Sequence, residues 1–178
     1  RRIALRTDGS CLDPATAEAG DTRLLRWAAA ARGAVGAASP GVPAAGPGPA
    51  SGSAATDHDS LRSLTRATFD AVDAARPEAG PGDLRLGIDS LVPLLGCGDE
   101  SAVFRFLHAV LGDVREADGI AHAHLPAPRD HRSVHTVEPL FDATVELGVR
   151  DGVARQRWHV ADPPLSSEWI RLDDALPE

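Results

Sequence analysis

The run from Leu84 to Leu95, LRLGIDSLVPLL, does most to narrow what this chain can fold into. Its apolar stretch ends on Asp89 and Ser90 and passes at once into more apolar sequence. That is the pattern of a buried parallel strand that delivers a carboxylate to the edge of a sheet. Open α/β sheets bind ligands at such edges, which makes Asp89 the first candidate site residue.

The surrounding segments extend the pattern. RRIALR, at 1–6, predicts a short strand ahead of the turn-like TDGS. From Pro14 to about Val35 the chain is rich in Ala, Leu and Arg, and Leu24, Leu25, Trp27, Ala28 and Ala31 fit one broad face of a helix. Residues 36–56 have no apolar period and too little large apolar surface to offset the entropy of ordering, which predicts a linker or long loop. Leu61, Leu64, Phe69 and Val72 predict a helix from Asp57 to about Ala75, stopped by Pro77 and the GPG turn.

After the Leu84–Asp89 strand, Asp99 is placed to cap a helix over Glu100–Arg115, whose apolar stripe includes Val103, Phe106, Leu107, Val110, Leu111 and Val114. IAHAHL then predicts a strand over Ile120–Leu125, closed by Pro126 and Pro128, and a short helix is expected over Arg132–Phe141. Asp151 and Gly152 give the strongest hairpin signal, joining a strand at Thr144–Arg150 to one at Val153–Val160. Trp169–Leu172 adds a last short edge strand.

The expected fold is α/β: a mainly parallel sheet with helices on both faces and an antiparallel C-terminal hairpin at one edge. Along the chain this divides into an N-terminal strand and helix at 1–35, a linker at 36–56, a core at 57–172 and a tail at 173–178.

Charge excludes some partners. The net charge is -8 and all 18 basic residues are Arg, dispersed along the chain, which disfavours a nucleic-acid surface. Lys, Asn, Tyr and Met are absent, as in a GC-rich genome or, for the acidic Lys-free balance, a high-salt cytoplasm. No apolar run approaches the roughly 20 residues of a membrane span. No signal peptide precedes the first strand, so a cytoplasmic location is expected. Cys11 and Cys97 stand far apart, which favours reduced structural thiols over a disulfide or metal pair.

With IDSLVPLL, VFRFLHAVL, IAHAHLPA and PLFDATVELGVRDGVARQRWHV in this order, residues from about Asp57 to Leu172 resemble the C-terminal half of a RecA-like P-loop ATPase, and specifically haloarchaeal KaiC-like proteins. The resemblance implies a partial RecA-like sandwich in which Asp89 holds the Walker B position, with Ser90 beside it. It implies that His124, at the next strand end, stands where related enzymes sense the γ-phosphate. It also implies that Arg155 and Arg157 reach toward a neighbouring subunit's nucleotide, whereas their alternation on one strand face also fits a solvated surface.

The departure is the phosphate loop. A Walker A motif needs G-x-x-x-x-G-K-[S/T], because its Lys binds the β and γ phosphates. This chain has no Lys, and Pro residues interrupt its Gly-rich stretch from Gly41 to Gly52. No cofactor is therefore expected; ATP and Mg²⁺ enter only if a P-loop lies upstream of Arg1 in a longer product.

Histidine offers a weaker alternative. His122 and His124 share a strand face and His131 and His135 a helix face, four imidazoles that could hold the metal of a hydrolase. No H-E-x-x-H motif fixes such a geometry, and no nucleophile-elbow sequence supports acyl transfer. Trp158 and Trp169 are expected to pack in the core or at an edge. The leading expectation is a non-catalytic regulatory or signalling module acting on a protein partner or as a homo-oligomer.

Overall fold

The structure is a computed structural model and describes residues 1–7, 22–27, 56–58, 60–96 and 99–172. The chain divides into two compact units, Arg1–Leu125 and Pro126–Glu178. The stretch 57–172, expected to form one core, is thus shared between them, while the first strand joins the sheet of the first unit.

In the first unit, β1 (Arg2–Arg6), β2 (Thr22–Trp27), β3 (Thr56–His58), β4 (Arg85–Ile88) and β5 (Ile120–Ala123) form a five-stranded sheet in the order β3-β2-β1-β4-β5. Every pairing is parallel. Alternate residues Ile3, Leu5, Leu25, Trp27, Leu86 and Ile88 are buried on one face, as the period of two along a strand requires.

Two helices cover that face. Helix α1 (Leu61–Ala75) is capped by Ser60, whose Oγ accepts from the Ser63 N–H at 3.2 Å, and it buries Leu64, Thr68, Ala71 and Val72. After the single turn α2 (Val92–Leu95), helix α3 (Glu100–Glu116) starts at Asp99, whose Oδ1 accepts from the Ala102 N–H at 3.0 Å. It buries Val103, Phe106, Leu107, Val110, Leu111 and Val114. The two long helices pack on each other, α1 also on β1 and β2, and α3 on β5. Both crossovers run the same way along the sheet, and the right-handed rule places their helices on one side.

Two local expectations are corrected. Residues 22–27 form a strand and not part of a helix, because TRLLRW pairs along β1 from Arg2↔Thr22 to Arg6↔Arg26. Leu25 and Trp27 are buried two positions apart. At these six residues helical propensity is overruled by this long-range pairing. Likewise, Thr56–His58 is a strand, so the helix expected from Asp57 starts at Leu61. The expected linker lies outside the described residues from 36 to 55.

In the second unit a short helix α4 (Arg132–Val137) and a 3₁₀ turn (Glu138–Leu140) lead into β6 (Ala143–Arg150) and β7 (Val153–Val160). These pair antiparallel through Asp151 and Gly152, whose φ angles of 53° and 74° are those of a type I′ turn. The strands β8 (Leu165–Ser166) and β9 (Ile170–Arg171) both pair with β7. The hairpin, expected at one edge of the parallel sheet, is a separate four-stranded antiparallel sheet. Its face is set by the pairing: Val145, Leu147 and Val149 lie with Trp158, Leu165 and Ile170, and the Glu146, Arg157 and His159 side chains lie on the other side.

Candidate functional site

The strand order of the first sheet reverses between β1 and β4: β2 and β3 follow on one side of β1, β4 and β5 on the other. In an open parallel sheet this switch point, at the carboxyl ends of the strands, is where a crevice opens for a ligand. Asp89 follows β4 there, and Thr7 follows β1.

The two residues are tied together. The Thr7 N–H donates to Asp89 Oδ1 at 2.8 Å, and Thr7 Oγ1 lies 2.9 Å from the same oxygen and 2.6 Å from the Ser90 carbonyl. Its hydroxyl has one proton, so these last two contacts are alternatives. The Asp89 N–H donates to the Leu5 carbonyl at 3.1 Å, which holds the carboxylate's own backbone in the ladder. Asp89 Oδ2 is buried and has no hydrogen-bond partner among the described residues.

Ser90 is buried, and its Oγ accepts from the Val92 N–H at 3.3 Å, which stabilises the start of α2. His124 stands at the end of β5, where its N–H donates to the Ile88 carbonyl and its carbonyl accepts from the Leu91 N–H at 2.9 Å. The structure therefore brings Asp89, Ser90 and His124 to neighbouring strand ends and adds Thr7, which has no motif of its own. Only the pairing of β1 with β4 could have found it.

These groups do not by themselves fit a magnesium site. Mg²⁺ is held by one or two carboxylates together with waters and substrate phosphates. One oxygen of Asp89 is already committed to Thr7, and the chain has no Lys to bring phosphates to the other.

The four imidazoles fall into two pairs. His122 and His124 are in the first unit, with ring centroids 5.7 Å apart, and His131 and His135 are in the second. No group of three His, Cys, Asp or Glu side chains able to hold a metal occurs among the described residues. His131 has a local task instead, its Nδ1 accepting from the Ser133 N–H at 3.2 Å. The His122 ring closes over Gly87, where an added Cβ would stand 3.0 Å from its Cε1 and Nε2. Burial of the ring, with the charges of His124 and Arg85, lowers the His122 pKa.

Arg155 and Arg157 lie on one face of β7, as their alternation predicts. Arg157 donates to Glu146 Oε2 from Nη2 at 2.8 Å and from Nε at 3.2 Å, and it stands 4.9 Å from the centre of the Trp169 ring. Arg150 takes a position 4.4 Å from the same ring. Trp169 thus serves as a platform for two cations, while Trp158, expected in the core or at an edge, is 43% exposed on the opposite face.

A family model matches residues 1–147, a span that contains the whole parallel sheet, Thr7 and Asp89. The chain belongs to the DUF7504 family, a family of unknown function. No curated protein matches it. The DUF7504 match ends inside β6, so β7, β8 and β9 lie beyond it.

Proposed function

We propose that this DUF7504 chain is a regulatory or signalling module of RecA/KaiC-like descent that acts through protein contacts and has no ATPase activity of its own. The observation that carries this reading is the face of the second sheet. Val145, Leu147, Val149, Trp158, Leu165 and Ile170 lie together on one side, with Leu147 67%, Val149 72% and Leu165 66% exposed. A contiguous apolar face of this kind marks an interaction surface.

The site at the switch point supports the same reading. Asp89 clamps two strands through Thr7, and neither a Walker A sequence nor any Lys is present to hold phosphates. The expected result is that the purified chain shows no Mg-dependent ATP turnover, and that Leu147→Asp reduces its association, with itself or its partner, by light scattering. ATP turnover by the purified chain would sink the proposal.

One observation favours a second reading. Asp89 Oδ2, buried and without a hydrogen-bond partner among the described residues, fits a nucleotide-binding ATPase whose P-loop lies upstream of Arg1. A G-K-[S/T] sequence encoded in frame before Arg1 would decide for this second reading.

A further inference from the structure

We propose that the second unit carries a hydrolytic site in which Ser166 is the nucleophile, His159 its general base and Glu146 the residue that positions His159, acting on a small carboxylic ester with an apolar acyl group. The site goes beyond the protein-contact reading: its nucleophile, base and carboxylate lie on the polar side of the sheet, and of the apolar-face residues named above only Leu165 borders it.

The pairing of the strands assembles it. His159 is directly opposite Ser166, and Glu146 is directly opposite Arg157, two positions before His159. Ser166 Oγ stands 2.8 Å from His159 Nδ1, and His159 Nε2 stands 3.2 Å from Glu146 Oε2. These are hydrogen-bond distances, and together they form the nucleophile, base and orienting group of a Ser-His-carboxylate relay.

The tautomer follows from the partners. Two donor nitrogens of Arg157 hold Glu146 Oε2, so the carboxylate is a fixed acceptor. Nε2 then carries the ring proton and Nδ1 presents its lone pair to the Ser166 hydroxyl. Ser166 and His159 also line a cavity of about 330 Å³, with Phe141, Val160 and Leu165 as apolar walls for an acyl chain. The Arg129–Glu138 ion pair, 2.6 Å between Nη1 and Oε1, borders the same cavity.

In the first step Ser166 Oγ forms a bond to the ester carbonyl carbon while its proton passes to His159 Nδ1. The carbon–oxygen bond to the alcohol then breaks, and the alcohol leaves with that proton. Water attacks the acyl-enzyme in the same way, its proton passing through His159 to Ser166 Oγ as the carboxylic acid is released. No oxidant, reductant or metal enters the balance.

The test is to treat the full chain with a fluorophosphonate and locate the adduct by peptide mass spectrometry. The expected adduct is on Ser166, formed at least ~100-fold more slowly in His159→Gln. Hydrolysis of p-nitrophenyl butyrate should be lost in Ser166→Ala, an exposed position where circular dichroism should stay as in the parent chain. Glu146→Gln should lower kcat and leave KM unchanged, a split that a merely structural role would not produce. An unlabelled Ser166, or ester turnover unchanged in Ser166→Ala, overturns the proposal.

Discussion

The Thr7 N–H donates to Asp89 Oδ1 at 2.8 Å, which joins the ends of two strands that lie 82 positions apart in the chain and meet where the strand order reverses. The one prominent carboxylate of the parallel sheet is therefore first of all a strand-end clamp. Whatever else Asp89 does, its Oδ1 is held in place before a ligand arrives.

That clamp has a measurable weight. Thr7→Val keeps the shape of the buried side chain and the backbone hydrogen bond, and removes the hydroxyl that serves Asp89 Oδ1 and the Ser90 carbonyl. The expected loss is about 1–3 kcal/mol, the cost of leaving a buried acceptor without its donor. Urea unfolding of the two proteins measures it, and equal midpoints would show that the hydroxyl contributes nothing.

His122 should make the first unit less stable in acid. Its folded pKa lies below the ordinary value of 6.5, so as pH falls through 6.5 the unfolded chain binds a proton that the folded chain binds less readily. Stability therefore falls as pH drops below 6.5. Gly87→Ala forces the ring off its seat, and the His122 titration followed by NMR should move back up toward the ordinary value.

Glu146 acts in a lower window. Burial alone would raise its pKa, but hydrogen bonds from Arg157 and His159, reinforced by their charges, outweigh it and hold the carboxyl below its ordinary 4.5. The stability it contributes is present above pH 4.5 and is lost as pH falls through the folded pKa. In Glu146→Gln this acid-dependent part should disappear, which a comparison of unfolding midpoints at pH 6 and pH 3.5 tests.

The hairpin depends on its second turn residue. Gly152 has φ of 74°, a left-handed conformation that a β-branched side chain strongly resists. Gly152→Val should cost about 1–3 kcal/mol and broaden the amide resonances of β6 and β7. Gly152→Asn is the control, because Asn tolerates the left-handed region and should restore most of the loss.

Where local signals agree with the fold, the sequence is legible. The Leu84–Asp89 strand, the Asp99 cap with its long helix and the Asp-Gly turn all stand where their residues predict, because each rests on contacts a few positions apart. Thr22–Trp27 was not legible, since its six residues take their form from β1 and their flanks favour a helix. Of the candidate site, Asp89 could be named from its strand end, and Ser90 and His124 from the resemblance. Thr7, the Glu146–His159–Ser166 relay and the exposure of Trp158 could not, for they depend on which strand pairs with which.

By itself, then, the sequence determined an α/β chain with a carboxylate at a strand end, no lysine to hold phosphate and a tight hairpin near its end. Only the tertiary structure decided that the hairpin belongs to a sheet of its own, that Thr7 meets Asp89, and that one face of the second sheet is apolar and open. The physical reason is range: periodicity, capping and turn chemistry act over a few residues, whereas strand order and register are chosen by the burial and hydrogen bonding of segments far apart in the chain.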